Sequence, residues 1–300
     1  MKCFYHTDMD GKCSAAIVHY FYSLHMPRNM QATEANAYQR ELAKTYYAIN
    51  YNIDFPFDVI EPGEEVIIVD FSLQKAGDFE RLLEITRNVI WIDHHKSAIE
   101  KHAHLDNQIA GIRRDGIAAC ELTWKYFFPN REVPRVVQLL GDYDVWKFAY
   151  GSDTRHLQSG IRLLDNDPWL PSWAEWFRDG DAAVSWMIDK GIIANQYRDN
   201  YYAGLIRSWS FQSEFEGYSA VCCNAGSVSS DLFDTAAESD LMMPFVFDGR
   251  QWTVSIYTRD PDIDCSKLAA KYGGGGHRQA AGFQCKELPF KLSAPFVPEV

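Results

Sequence analysis

The chain lacks a C-x-x-C pair of cysteines, which is the spacing of structural zinc sites and redox motifs. Its seven cysteines are odd in number and scattered through 300 residues, which favours buried thiols in a reducing compartment over a disulfide framework. No hydrophobic run approaches the roughly 20 apolar residues that cross a bilayer. The first residues, MKCFYHTD, lack an apolar signal region. We therefore expect a cytoplasmic protein with no membrane partner.

The chain also lacks an excess of positive charge, because 29 Lys and Arg face 41 Asp and Glu, for a net charge of -12. This balance excludes a broad electrostatic grip on long duplex DNA. A short anionic substrate stays compatible, since bound divalent ions can reverse the field at one place. Hydrophobic residues make up 47% of the chain, which excludes disorder. Two domains are the expectation for this length.

Three short apolar runs end in polar or acidic residues and alternate with segments of helical spacing. A strand at 2–5 precedes His6 and a helix after Gly11, "EEVIIVD" ends at Asp70, and "NVIWID" ends at Asp93. This alternation predicts an α/β fold with a parallel sheet, whose carboxyl edge carries the polar groups.

Helical spacing dominates the middle of the chain. The segments "GIAACELTWKYFF" and "VPRVVQLL" predict helices, and the second runs into "GDYD", so that Asp142 and Asp144 lie at a helix end. One long connector helix, interrupted by Gly191, is expected before residue 209. Beyond it, the strands "YSAVCCNA", "MPFVFDG" and "QWTVSIYT" and the helices "SSDLFDTAAE" and "DCSKLAAKY" predict a smaller α/β unit. The predicted parts are a first domain at 1–180, a helical connector at 181–212 and a second domain at 213–300.

The stretch "FYHTDMDGKCSAA" places His6, Asp8 and Asp10 at alternating positions. Side chains two residues apart on an extended backbone point the same way, so these three groups converge. Helix capping by the aspartates is the competing explanation for this stretch alone. Further candidate donors follow at other strand and helix ends, namely Asp70, Asp93, His94, His95 and Asp142.

Carboxylates gathered at one sheet edge repel each other unless positive charge lies between them. Carboxylate and imidazole donors without thiolate favour Mn²⁺, with Mg²⁺ as the alternative and zinc less favoured. The number of donors predicts two divalent ions with Asp70 as a bridging ligand. Paired ions of this kind serve phosphoryl transfer.

The second unusual stretch is "KYGGGGHRQAAGF", with four consecutive glycines. An ordered glycine run indicates close approach of backbone to a ligand, and its amides can bind phosphate. The arginine that ends "VSIYTRD" is a further phosphate candidate, with a salt-bridged or solvated arginine as the alternative. A flexible loop before a helix is the alternative for the glycines. The candidate substrate contacts are Gly274, Gly275, Gly276, His277, Arg278 and Arg259.

In this order, the motifs "HTDMDG", "VDFS", "DHH" and "GDYD" resemble those of the DHH phosphoesterase superfamily. The segment "GGGGHRQAAGF" is similar to the signature of the DHHA1 domain found in one branch of it. The resemblance spans nearly the whole chain and implies an N-terminal parallel-sheet DHH domain and a smaller C-terminal α/β DHHA1 domain, joined by a helical connector. Members are typically manganese-dependent hydrolases.

The resemblance also implies roles for individual residues. One ion is expected on His6, Asp8 and Asp70, and the other on Asp10, Asp70, His94 and Asp142. Asp93 is expected to orient a ligand, and His95 to face the substrate phosphate. The other domain is expected to hold a nucleotide phosphate through His277 and Arg259 across a cleft. The compact H-x-D-x-D spacing and the competing Asp144 leave the ligand set open.

The implied activity is hydrolysis of short oligonucleotides to mononucleotides, as in nanoRNases, by a hydroxide that two ions activate. Cyclic or linear dinucleotides, phosphoadenosine phosphate, single-stranded DNA and pyrophosphate are alternatives in the family. A compact acidic chain disfavours RecJ-like strand tracking. The alternative of another class is a non-catalytic nucleotide-binding protein, which the complete ligand set disfavours. A homodimer is left open.

Overall fold

The computed structural model describes residues 1–27, 30–51, 53–178, 180–276 and 278–291. The chain divides into two compact units, Met1–Ala194 and Asn195–Val300. This division lies within the predicted connector at 181–212. The first unit contains a four-stranded sheet and the second a six-stranded sheet. Among the described helices, none is both long and apolar enough to cross a lipid bilayer.

The first unit is built from four strands and a larger set of helices. Its strands are β1 (Lys2–His6), β2 (Tyr46–Ile49), β3 (Val66–Val69) and β4 (Val89–Ile92). Its helices are α1 (Met9–Leu24), α2 (Ala32–Ala43), α3 (Asp78–Ile85), α4 (Lys96–Lys101), α5 (Ala119–Phe127), α6 (Arg135–Asp144), α7 (Ser152–Ile161) and α8 (Pro171–Arg178). The helix α9 (Gly180–Trp209) contains the division between the units.

All strands of the first sheet are parallel, in the order β2-β1-β3-β4. Along β1, Cys3 and Tyr5 pack into one hydrophobic cluster and Phe4 into the opposite one. Both faces of the sheet are therefore buried, as is usual for parallel sheets, and this explains why the strands are continuous apolar runs. The predicted α/β class and parallel sheet are confirmed. The strand β2 was not predicted.

The turn between β1 and α1 depends on a glycine. The Asp8 side chain accepts a hydrogen bond from the Gly11 amide at 2.9 Å and so caps α1. A Cβ atom at Gly11 would lie 2.1 Å from the His6 carbonyl oxygen. The absence of a side chain thus lets α1 begin directly against the end of β1, which holds Asp10 beside the sheet edge.

The second unit carries a mixed sheet in the order β5-β6-β7-β8-β10-β9, in which only β6 and β7 pair in parallel. Its strands are β5 (Ser210–Phe215), β6 (Tyr218–Asn224), β7 (Leu241–Phe247), β8 (Trp252–Tyr257), β9 (Gly275–Gly276) and β10 (Ala280–Cys285). Its helix α10 is Cys265–Ala270. The predicted helix "SSDLFDTAAE" is wrong, because only one 3-10 turn forms at Ser230–Phe233. Leu232 and Phe233 are buried in a small cluster and end that turn early.

The predicted interruption of the connector at Gly191 is also wrong, because α9 continues through this residue. A Cβ atom at Gly191 would lie 1.7 Å from the His156 carbonyl oxygen. A Cβ atom at Gly160 would lie 1.9 Å from the Met187 carbonyl oxygen. The two glycines therefore serve backbone contact between α7 and α9, not a break in the helix.

Candidate metal centre

The candidate site lies at the carboxyl edge of the first sheet. β1, β3 and β4 are adjacent in the sheet, and each is followed by a polar side chain at this edge. His6 ends β1, Asp70 follows β3 and Asp93 follows β4. Because parallel strands end at a common edge, residues far apart in sequence meet there.

His6, Asp8 and Asp70 form one set of converging donors, which we call the first donor group. The His6 Nδ1 atom lies 2.7 Å from Asp8 Oδ2 and 3.7 Å from Asp70 Oδ2. The sequence predicted these same residues for one ion. The structure brings them together.

Asp10, His94 and Asp144 form the second donor group. The His94 Nε2 atom lies 3.8 Å from Asp10 Oδ2 and 3.4 Å from Asp144 Oδ2. The Asp10 carboxylate also accepts hydrogen bonds from the Ala119 and Cys120 amides, each at 2.8 Å. These amides begin α5, so the positive end of this helix holds Asp10 in place.

Asp70 lies between the two donor groups. Its Oδ2 atom faces His6 at 3.7 Å, and its Oδ1 atom faces His94 at 3.3 Å. Asp70 is buried and has a positive φ of 54°, a conformation that Asp tolerates better than most residues. This placement lets one carboxylate serve both groups.

Asp93 orients His94 and His95 through one carboxylate oxygen. Its Oδ1 atom accepts hydrogen bonds from the His94 amide at 2.7 Å and the His95 amide at 3.2 Å, and lies 2.7 Å from His95 Nδ1. His95 joins Asp70 and His94 in a further set of converging donors. A proton on His95 Nδ1 would be fixed by Asp93, which leaves Nε2 as its accepting atom.

Asp142 and Asp144 are placed differently. The Asp142 carboxylate accepts hydrogen bonds from the Ala149 amide at 2.9 Å, the Tyr150 amide at 3.4 Å and the Thr154 hydroxyl at 2.5 Å. It is not among the three sets of converging donors found in the described residues, whereas Asp144 is. Residues two apart on a helix differ by about 200° in direction, so only one of this pair faces the centre.

The electrostatics of the centre are those of crowded, buried carboxylates. Burial, with the charge of Asp70 next, raises the pKa of Asp10 to about 8. Burial, with the charge of Asp10 next, raises the pKa of Asp144 to about 8. Burial also raises the pKa of Asp70 well above its usual value. The carboxylates therefore resist carrying negative charge together.

The first donor group contains one stabilised ion pair. Burial lowers the pKa of His6, but the nearby Asp70 carboxylate and the hydrogen bond with Asp8 outweigh it and raise this pKa to about 10. Burial opposes the charge of Asp8, yet its hydrogen bond with His6 lowers the pKa of Asp8 to about 2. One imidazole thus cannot neutralise all the carboxylates around it.

The residues present fit divalent cations. Asp70 Oδ2 and Asp144 Oδ2 are buried without a hydrogen-bond partner, which is costly for a charged oxygen. Carboxylate oxygens and imidazole nitrogens are the donors that Mn²⁺ and Mg²⁺ sites use. A cation placed among these donors would provide the missing partner.

The glycine run of the second unit is partly engaged in packing. The Gly273 amide donates to the Ala270 carbonyl at 3.1 Å and the Gly274 amide to the Ala269 carbonyl at 3.0 Å, so both cap α10. A Cβ atom at Gly274 would lie 2.1 Å from the Gly282 carbonyl oxygen. Gly275 and Gly276 form β9 and pair with β10. A strand follows the run, not a helix.

The structure also shows the partners of the two arginines that were predicted to contact a phosphate. Arg259 pairs with Asp234 at 2.5 Å, and Arg278 donates from Nε to the Pro261 carbonyl at 2.8 Å. Both arginine side chains have protein partners. His277 lies outside the described residues.

The sequence indicated no role for two aromatic residues, one that contacts the centre and one that follows it closely in the chain. The ring of Tyr51 lies 5.3 Å from that of His6, and Trp146 follows Asp144 by two residues. The only feature of the sequence that drew attention to Trp146 was its position two residues after the "GDYD" motif. Nothing in the sequence marked Tyr51, because β2 was not predicted.

Residues 3–141 match the family model described as the DHH family, N-terminal domain. The chain is 25% identical over 247 residues to the uncharacterized protein R106 of Acanthamoeba polyphaga mimivirus, a match that covers 78% of this chain and 55% of that protein. The chain thus spans about half the length of this curated relative.

Two solved structures share the fold. The pGpG-specific phosphodiesterase PggH of Vibrio cholerae has a TM-score of 0.54 and 12% identity, covering 95% of this chain and 94% of that one. The DHH domain of a member of the S1p family of ribosomal proteins has a TM-score of 0.59 and 13% identity, covering 94% of this chain and 82% of that one. The matched model shows that residues 3–141 form the N-terminal domain of the DHH family, and the Asp-His-His motif lies at the sheet edge of this domain.

Proposed function

We propose that the chain is a metal-dependent phosphodiesterase that hydrolyses short oligonucleotides or dinucleotides. One observation carries the proposal: Asp70 presents its two oxygens to two separate donor groups, at 3.7 Å from His6 and 3.3 Å from His94. A carboxylate shared in this way is the arrangement of paired-cation phosphoryl transfer sites. Two divalent cations, with Mn²⁺ favoured, would supply charge stabilisation for the phosphate and lower the pKa of an attacking water.

The protein's own groups have distinct tasks in this proposal. The first donor group and Asp70 would hold one cation, and Asp10, His94, Asp144 and Asp70 the other. Asp144 replaces Asp142 in this set because the Asp142 carboxylate already accepts three hydrogen bonds from the loop that follows it. His95, fixed by Asp93, would present Nε2 toward a substrate phosphate oxygen.

Short substrates are favoured by the charge of the chain. A net charge of -12 gives no extended attraction for a long polyanion, so binding would depend on the local field at the centre. The structural likeness to PggH makes pGpG a sensible test substrate alongside short RNA. Within the second unit, His277, Arg259 and the glycine run stay proposed contacts for a nucleotide phosphate.

The test is hydrolysis by the full chain of end-labelled RNA dinucleotides, pGpG, a cyclic dinucleotide and a 20-nucleotide RNA, each with Mn²⁺, Mg²⁺ or chelator. We expect Mn²⁺-dependent release of mononucleotides, fastest from the shortest RNA. Asp70→Asn should lose at least about 100-fold in kcat, because it removes the shared charge. The exposed Asp58→Asn is the matched control and should keep wild-type turnover.

A nucleotide-binding protein without catalytic activity is the competing candidate. It would bind RNA dinucleotides equally well in wild type and Asp70→Asn and hydrolyse none of them. If both Asp70→Asn and His94→Ala hydrolysed short RNA at the wild-type rate, the proposed active site would be wrong.

A further inference from the structure

Two exposed aromatic side chains lie on the segments that carry the candidate metal centre, and we call Tyr51 and Trp146 the aromatic rim. The Trp146 side chain is 59% exposed and that of Tyr51 is 42% exposed. The Tyr51 ring lies 5.3 Å from the ring of His6 in the first donor group. Trp146 follows Asp144 of the second donor group by two residues. An exposed ring thus lies beside the first donor group, and a second exposed ring follows closely in the chain after the second donor group.

The backbone that presents Trp146 is strained. Trp146 has a φ of 56° and Phe148 a φ of 51°, a left-handed conformation that bulky residues rarely adopt. Such strain persists only where surrounding contacts enforce it, and it concentrates at functional sites. The strained backbone places the Trp146 ring in solvent, where the ring contributes little to the core.

Asp142 enforces this conformation. Its carbonyl oxygen accepts from the Lys147 amide at 3.0 Å, and its carboxylate accepts from the Ala149 amide at 2.9 Å. The Lys147 side chain also donates to the Gly116 carbonyl at 2.7 Å. The loop that carries Trp146, two residues after Asp144, is therefore fixed at several points.

The neighbouring rings brace Trp146 without stacking on it. Its ring meets that of Phe148 at 4.8 Å and 82°, and that of Tyr143 at 5.3 Å and 70°. Within the described part of the chain, no aromatic ring lies parallel to Trp146. Tyr51, in contrast, stacks on Phe71 at 4.8 Å and 24° on one side. Both rings are thus supported from the protein side and still reach solvent.

We propose that the aromatic rim stacks nucleobases, with Trp146 as the principal contact and Tyr51 as the second. This inference rests on the proposed function and assigns the residues that would contact the nucleobases of its substrate. A phosphodiester held between the two donor groups has a nucleoside on each side; the Tyr51 ring lies against His6 of the first group, and Trp146 follows Asp144 of the second group on a fixed loop. Flat aromatic side chains bind bases of any sequence by stacking.

The test compares two substrates of equal charge in Mn²⁺: the RNA dinucleotide pApA and the same diester built from abasic residues. Trp146→Leu should raise the KM for pApA by about 5-fold to 100-fold, the range expected for one lost stacking contact. Its KM for the abasic diester and its kcat should stay within about 2-fold of wild type. Trp146→Phe should retain most of the affinity, and Trp186→Leu, which alters another exposed tryptophan, should change neither KM.

Trp146→Gly separates stacking from loop structure. Glycine adopts a positive φ without strain, so this variant should melt at or above the wild-type temperature and still show the raised KM for pApA. An equal rise in KM for both substrates in Trp146→Leu and Trp146→Gly would overturn the proposal and assign a structural role to the ring. An unchanged KM for pApA would overturn it while leaving the proposed function intact.

Binding can be measured without hydrolysis. With Ca²⁺ in place of Mn²⁺, pApA should quench tryptophan fluorescence in the wild type and much less in Trp146→Phe, because the exposed indole is the quenched group. If the wild type hydrolysed no phosphodiester but showed this quenching, the proposed function would fail and the stacking site would stand. Equal quenching in both proteins would remove the stacking site.

Discussion

Two aspartates in one short motif have opposite tasks at the residue scale. Asp142 holds the following loop through Ala149 and Thr154, and Asp144 faces His94. We expect Asp142→Ala to lower the free energy of unfolding by about 1 to 3 kcal/mol, because it leaves buried donors unpaired. Asp144→Asn should cost no stability in the absence of metal and weaken Mn²⁺ binding at least about 10-fold. Urea unfolding and calorimetric titration with Mn²⁺ check the two effects, and a reversed pattern would contradict this assignment.

The sequence could supply the candidates but not decide between these two residues. The motif "GDYD" marks a helix end with two carboxylates. Which one faces the centre depends on a loop that returns to place Thr154 against Asp142, twelve residues further on. In contrast, His6, Asp8, Asp10, Asp70 and His94 could be predicted, because each lies at or next to the end of a clearly apolar strand. Their position depends mainly on strand pairing, with α5 amides also holding Asp10.

A buried histidine away from the centre gives a pH dependence of stability. His19 lies against the Tyr46 ring at 5.4 Å, and burial, opposed by the Gln39 side chain, lowers its pKa from 6.5 to about 4. Above pH 6.5 both the folded and unfolded states hold a neutral His19. Below pH 6.5 the unfolded chain takes up a proton first, so stability falls between pH 6.5 and 4, by up to about 3 kcal/mol.

His19→Gln should remove this part of the pH dependence, because glutamine keeps a polar side chain that does not titrate. Urea unfolding of the wild type and the variant at pH 7.5 and pH 5 measures the difference. The exposed His104→Gln is the matched control and should follow the wild type. A wild type and a His19→Gln variant that lose equal stability at pH 5 would show that His19 is not the responsible group.

At the scale of elements, Gly191 of α9 has a role in helix packing that its local sequence does not indicate. Glycine weakens an isolated helix, so Gly191 predicts an interruption from sequence. Its actual partner is the His156 carbonyl, which lies in α7, 35 residues earlier in the chain. Only the packing of the two helices reveals that contact. The short strands β2 and β9 escaped prediction for a similar reason, because their pairing partners define them more than their own composition.

Two glycine substitutions within α9 should have opposite effects. Gly191→Ala places a methyl group 1.7 Å from the His156 carbonyl oxygen, so we expect a loss of about 1 to 3 kcal/mol or more in unfolding free energy. Gly204→Ala meets no atom within 4 Å and should add about 1 kcal/mol through helix propensity. Chemical denaturation of both variants measures this contrast. Equal stabilisation of the two variants would show that Gly191 matters only through helix propensity.

At the scale of the whole molecule, an acidic chain concentrates uncompensated charge at one sheet edge. The net charge of -12 makes this clustering of carboxylates less favourable. The carboxylates are nevertheless held together because β1, β3 and β4 end at the same edge of the sheet. The parallel order of these strands follows from apolar runs separated by helices, which is why the class of the fold could be predicted. The mixed order of the second sheet could not, since short alternating strands allow several pairings.

This crowding predicts that cations stabilise the fold as a whole. At a concentration of Mn²⁺ 100 times its Kd, binding to the folded state adds about 2.7 kcal/mol, which corresponds to a rise in Tm of about 5 to 10 °C. Asp70→Asn should abolish most of this rise.

Without metal, Asp70→Asn should melt above the metal-free wild type, because it removes a buried carboxylate and because asparagine accepts the positive φ of 54°. Thermal melts followed by circular dichroism, with chelator and with Mn²⁺, measure both effects, and Asp58→Asn should behave as the wild type. An undiminished rise in Asp70→Asn would mean that the cation binds elsewhere and that the shared carboxylate is not a ligand.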